Sequence, residues 1–192
     1  MYRDHSLIPA EAIRLMALGL LAESTRRYAA LAMEVRHFTS RIVGPSPELM
    51  GTSLELLRYE GLVEAVDGAA AGADPELRLT AAGETALAGL LLAALRAPTT
   101  DLAKLGLILK LRFLHHLPET AQAEQIELVI AACGSELARL EDLRGHNDRG
   151  PDLFLGWVDR DIAELKARIS WLQARAASLT RVFSAKVDAG SA

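Results

Sequence analysis

From Leu155 to Leu179 an apolar residue stands at every third or fourth position: Leu155, Val158, Ile162, Leu165, Ile169, Leu172, Ala176 and Leu179, with no proline between them. That spacing keeps the residues on one side only of an α-helix, and a seam this long has to be covered along its length by other helices. The preceding segment carries a second seam, Ile126, Ile130, Cys133, Leu137 and Leu140, on steps of four and three. Pro118 opens it, and the turn formers between Gly145 and Pro151 close it. A further helix from about Thr100 carries Leu105, Leu109 and Phe113. One chain offers little to cover two such seams, so a dimeric bundle is the simplest solution. Residues 97–192 are therefore expected to form a helical dimerisation domain. Its interface is expected to contain Phe113, Ile130, Leu137, Trp157, Ile162, Leu165, Ile169, Trp171 and Leu172.

The first half has a different rhythm. Ile13, Met16, Ala17, Leu20 and Leu21 fall on one face of a first, amphipathic helix that Pro9 can open. Ser24 and Thr25 are candidate N-caps of a second helix, with Tyr28, Leu31, Ala32 and Val35 on its inner face. Gly44-Pro45-Ser46-Pro47 breaks the pattern, and a third helix from near Glu48 carries Met50, Leu54 and Leu57 until Gly61 stops it. Leu62 to Val66 and Leu77 to Leu79 then read as a two-stranded hairpin whose tip is rich in turn formers. Thr80 caps a fourth helix, striped by Leu87, Leu90, Leu91 and Ala94. Three helices, a hairpin and a helix, with the third helix running straight into the hairpin, is the order of a winged helix-turn-helix. The expected fold is mainly α: a winged-helix domain over residues 1–96, then the helical domain.

Charge and composition narrow the function. Residues 1–95 hold eight Lys/Arg against twelve Asp/Glu, and residues 96–192 hold thirteen of each, within a net charge of −4. Neither half is a basic slab that binds nucleic acid by its bulk field. Cys133 is the only cysteine, so no disulfide forms within the chain and a thiolate metal site lacks its ligands. The longest uncharged apolar run, Ala86 to Leu95, has ten residues, half of the roughly 20 that cross a bilayer. With no apolar core for a signal peptide near the N-terminus, the expectation is a cytoplasmic protein without a membrane partner. His115 and His116 are adjacent, are expected on different sides of a helix and make no metal pair. His146, Asp148 and Asp152 share a polar loop. No metal or cofactor is expected. No nucleophile, phosphate loop or carboxylate pair stands in a catalytic context, which argues against an enzyme.

Several stretches carry a family resemblance. Leu20-Leu21-Ala22-Glu23, Arg27-Tyr28-Ala29, the proline-serine turn, Leu54 to Val63 and Leu77-Arg78-Leu79-Thr80-Ala81-Ala82-Gly83 resemble the winged-helix domain of PadR-type transcriptional regulators. Leu111 to Glu119, Glu136 to Glu141 and Ala163 to Leu172 resemble the C-terminal domain of AphA-like members. The resemblance implies a homodimer that binds operator DNA. It also marks departures: where relatives carry a tyrosine and a basic pair in the third helix, this chain has Gly51 and Glu55-Leu56, and its hairpin tip holds Ala, Gly and Asp in place of basic residues.

The expected contacts with double-stranded DNA follow. Arg26, Arg27, Arg36, Arg41 and Arg58 are phosphate candidates; Ser46, Thr52 and Ser53 are small polar groups near the start of the third helix; Tyr28 matches the family's tyrosine. Each has a plainer reading, as solvated arginine, helix cap or core-rim aromatic. A small aromatic effector held between Trp157, Trp171 and Phe113 is the sharper alternative to plain packing of those rings. The rival function is a dimeric winged-helix interaction or effector-binding module with little DNA affinity.

Overall fold

The first helix is apolar nearly all the way round, with Arg14 as the exception in its middle. In α1 (Pro9–Glu23), Ile13, Leu15, Met16, Ala17, Leu18 and Leu20 are at most 1% exposed, so the helix is central and not the one-sided element its stripe suggested. A helix buried on every side needs neighbours on every side. These are α2 (Tyr28–Val43), α3 (Gly51–Tyr59), α4 (Ala81–Leu92) and α5 (Asp101–Phe113), together with the hairpin of β2 (Val63–Ala65) and β3 (Glu76–Leu79). The structure is a computed structural model and describes residues 9–43, 51–66, 74–95 and 99–190, without the side chains of residues 9, 51–53 and 180–190. The proline-serine turn, the expected helix start at Glu48 and the hairpin tip lie outside the described residues.

The chain divides into two compact units. The first comprises residues 1–94 and 100–116, so it takes in α5 and runs past the boundary expected at residue 96. The reason is packing: Leu105, Leu109 and Phe113 of α5 are at most 1% exposed, and α5 lies on α1 and α2. Gly19 makes room for it, since a Cβ there would stand 2.6 Å from the Phe113 ring.

Local signals explain where the elements stop and start. Gly61, at φ 70°, ends α3 in the left-handed region. The Leu62 amide bonds Leu57 O at 2.9 Å and the Gly61 amide bonds Arg58 O at 3.1 Å, the paired bonds of a Schellman cap. Thr80 caps α4, accepting from the Gly83 amide at 3.1 Å while its hydroxyl donates to Gly61 O at 2.7 Å. Thr100 caps α5 in the same way, accepting from the Ala103 amide at 3.2 Å.

Among the described residues the sheet has three strands, one more than expected. β1 (Arg26–Arg27) pairs antiparallel with β3, which also pairs with β2, giving the order β1-β3-β2. Extending Arg26-Arg27 moves the start of α2 to Tyr28, so Ser24 and Thr25 are not its caps. Thr25 Oγ1 donates to Glu76 at 2.6 Å instead. The cap comes from across the hairpin, where Asp74 Oδ1 accepts from the Ala29 amide at 2.8 Å.

Lys110 of α5 is 1% exposed, and its Nζ donates to Ala93 O, just past the end of α4, at 2.6 Å. Burial lowers its pKa from 10.5 to about 8. In the unfolded chain the amine keeps its proton to higher pH, so the stability of the first unit rises as pH climbs from about 8 to 10.5. The full rise is about 3 kcal/mol. Lys110→Met is expected to remove it, which the difference between wild-type and variant urea midpoints across that window checks.

The second unit comprises residues 95–99 and 117–192. It is a hairpin of two long helices, α6 (Glu119–His146) and α7 (Asp152–Gly190), packed against each other. Ile126, Val129, Cys133 and Leu140 of α6 face Val158, Leu165, Leu172 and Ala176 of α7, all buried. Arg144–Asp159 at 2.8 Å and Lys166–Glu141 at 2.7 Å fix the antiparallel register. The two seams cover much of each other within one chain and leave Ile130, Leu137, Ile162 and Ile169 half-buried. Among the described residues, no helix is long and apolar enough to cross a membrane.

Candidate nucleic-acid interface

α3 has nine residues and a strict division of faces. Leu54 and Leu57 are 4% and 0% exposed and seat the helix on α1. Arg14 of α1 holds the far end through a two-pronged bond to Glu60, which keeps the Glu60 carboxyl below the usual carboxylate range. With Leu54 and Leu57 turned inward, the helical period turns positions 55, 56 and 59 outward. Glu55, Leu56, Arg58 and Tyr59 are exposed, Leu56 at 46% and Tyr59 at 89%. A short, well-anchored helix therefore presents one free face, and the Schellman turn leads directly from it into the β2–β3 hairpin.

The expected phosphate contacts are not gathered on that face. Arg26 is engaged internally: its guanidinium bonds Leu20 O at 3.2 Å and Glu34 at 2.7 Å, and it lies 3.6 Å from Glu23. Glu34 is also approached by Arg112 of α5 at 3.8 Å, and Arg112 in turn sits over the Phe38 and Phe113 rings at 5.3 and 5.2 Å. Arg26 thus ties β1 to α2, a structural task that removes it from the candidate surface. Arg27 is largely exposed but leans on Asp74, donating to its carbonyl at 3.3 Å. Arg36 and Arg41 are exposed on α2; five residues apart, they stand about 140° from each other around the helix. Arg36, Arg41 and Arg58 make no ion pair among the described residues. Tyr28, the first residue of α2, is half-buried, and its amide bonds Pro75 O at 2.9 Å. Ser46 lies outside the described residues. Thr52 and Ser53 belong to the first turn of α3, with their side chains outside the description.

Sequence reasoning passed over Leu56 and Tyr59 as functional residues. The signal was present: once Leu54 and Leu57 are inward, a large apolar residue at an outward position of the same helix stands out.

The family of known proteins whose model fits the chain is described as "Putative AphA-like transcriptional regulator", and it matches residues 2–176. The chain belongs to this family. No curated protein matches it in sequence. Two solved structures are similar over most of their length. One is smu.1604c from Streptococcus mutans UA159, 18% identical, with a TM-score of 0.36, covering 85% of this chain and 98% of that one. The other is Bacillus subtilis PadR in complex with operator DNA, 16% identical, with a TM-score of 0.36, covering 86% and 98%.

The expected dimer residues of this AphA-like chain separate into three groups. Phe113 is fully buried in the first unit, so it is a core residue and not an interface one. Leu165 and Leu172 are buried within the α6–α7 hairpin, with Ile130, Leu137, Ile162 and Ile169 half-buried. Trp157 and Trp171 remain 65% and 49% exposed. Leu153, Phe154 and Leu128 are exposed as well, at 92%, 38% and 54%. The two indoles lie fourteen residues apart on α7, about 21 Å along its axis. They do not line one pocket with each other in a single chain, and Phe113 is closed to a ligand.

His115 and His116 also differ from expectation. The chain tightens to a 3₁₀ turn at Leu114–His116, which brings the two rings to 4.2 Å between centroids. Burial lowers the His116 pKa, the His115 charge adds to this, and Glu23 opposes it.

Proposed function

We propose that this AphA-like chain is a homodimeric DNA-binding transcription regulator acting in the cytoplasm on a two-fold symmetric operator. The observation that carries the reading is α3: a helix seated by Leu54 and Leu57, free on its outer face and leading into the hairpin, in a chain of a transcriptional-regulator family. In this reading α3 enters the major groove and the hairpin flanks it. Arg27, Arg36, Arg41 and Arg58 are the phosphate contacts, with Tyr28, Ser46, Thr52 and Ser53 as polar neighbours. The second copy docks on the exposed side of α7, through Trp157 and Trp171. Ile130, Leu137, Ile162 and Ile169 serve as the half-buried margin of that contact.

A second reading, an interaction module with little DNA affinity, is favoured by the charges. Glu55 stands on the outer face of α3, Arg26 is engaged internally, and Arg78 of the hairpin is held by Glu64 at 2.7 Å. Cationic contacts to phosphate set both non-specific affinity and its salt slope.

One experiment separates the two. The purified chain is mixed with fragmented genomic DNA from its source at low and then moderate salt, and the retained fragments are sequenced. The regulator reading expects a palindromic site that survives moderate salt, with a shallow salt dependence. No retention even at low salt overturns it in favour of the interaction module. Sedimentation equilibrium of the wild type and of W157S/W171S tests the dimer, which the double substitution is expected to dissociate.

A further inference from the structure

We infer that Glu55 and Leu56 are the specificity-determining pair of α3: Glu55 accepts from the exocyclic amino group of a cytosine, and Leu56 packs on the 5-methyl group of a neighbouring thymine. The inference rests on the DNA-binding reading and deepens it.

The outer face of α3 offers an unusual set of groups for a helix that meets a polyanion. Glu55 is exposed and makes no ion pair among the described residues, although Arg58 lies one turn further along the same helix. Leu56, beside it, keeps 46% of its surface exposed while Leu54 and Leu57 are buried. Neither residue is needed for the packing of α3. Neither contributes to phosphate binding, since one repels phosphates and the other is indifferent to them. What they are suited to is the floor of the major groove.

A carboxylate is an acceptor only. Cytosine presents its N4 amino group there as a donor, whereas guanine presents the acceptors N7 and O6, and adenine sets the acceptor N7 beside its amino group. A carboxylate therefore selects cytosine and is repelled most by guanine. Leu56, with no polar atom, distinguishes only the thymine methyl group. Arg58, exposed on the same helix, offsets part of the repulsion between Glu55 and the backbone phosphates.

The test uses the full chain on random double-stranded DNA, with selection and sequencing, followed by affinity measurements on the selected half-site. A fixed cytosine next to a fixed thymine is expected. Glu55→Gln keeps the size of the side chain but adds a donor, and is expected to reduce discrimination against the other bases at the cytosine position about tenfold, leaving the other positions unchanged. Deoxyuridine in place of the thymine removes the methyl group, and is expected to weaken wild-type binding severalfold while leaving Leu56→Ala unaffected. A selected site whose base preferences are the same in wild type, Glu55→Gln and Leu56→Ala overturns this assignment alone. Failure to select any sequence overturns the DNA-binding reading and the assignment with it.

Discussion

Gly83→Ala is expected to destabilise the first unit by about 3 kcal/mol or more, and Gly89→Ala, six residues later in the same helix, to stabilise it by about 0.5–1 kcal/mol. Both glycines are helical, so helix propensity favours alanine at each. The difference lies in what a methyl group would meet. A Cβ at Gly83 would stand 2.1 Å from Leu62 O and 2.7 Å from a Leu79 methyl carbon, whereas one at Gly89 meets nothing within 4 Å. Leu62 O cannot retreat freely, because it already accepts from the Thr80 amide at 3.1 Å. Two stretches that look unrelated along the sequence, Gly61-Leu62 and Thr80 to Gly83, are the two halves of one joint. It fixes the end of α3 and the hairpin to the start of α4. Both tryptophans lie in α7, so their fluorescence reports the second unit; hydrogen exchange at α1 amides reports the first. Loss of α1 protection in Gly83→Ala with an unchanged tryptophan transition is the expected pattern. Equal protection in the two variants would mean that α4 does not close on the Leu62 carbonyl.

The caps and stops at Gly61, Thr80 and Thr100 could be read from the chain because each acts within a few residues of itself. The α7 seam could be read as well, since period alone defines it. What period does not say is which chain covers a seam. Ile126, Cys133 and Leu140 need apolar cover, and α7 of the same molecule supplies it as well as a second copy would. The same limit hid the burial of Leu15 and Leu18, which lie off the α1 stripe and are buried in a helix whose neighbours include α4 and α5, far along the chain. β1 had no signal of its own, because two arginines become a strand only when β3 is beside them. Arg26 looked free as well: Glu34 is eight residues further on, inside α2, and nothing in the order of residues announces the pair. The outer face of α3, by contrast, follows directly from two buried leucines. The α3 face of the proposed interface was therefore readable, whereas the availability of its charges was not.

Phe113→Ala is expected to cost the first unit about 3–5 kcal/mol, and to do so equally at every protein concentration. The ring is fully buried, so its removal leaves a cavity beside α1. A subunit-interface residue would behave differently, with a loss that grows on dilution as dimer gives way to monomer. The neighbouring glycine supplies a sharper check. Gly19→Ala alone pushes a Cβ to 2.6–2.7 Å from three carbons of the Phe113 ring, and is expected to be strongly destabilising. In the Phe113→Ala background that space is empty, so the added methyl group fills part of the cavity and Gly19→Ala is expected to be neutral or stabilising. The two losses are then far from additive, the mark of residues in direct contact. Hydrogen exchange at α1 amides for the two single variants and the double variant measures the coupling. If the losses simply add, Phe113 does not rest on Gly19, and the seating of α5 in the first unit, with the unit boundary that depends on it, is wrong.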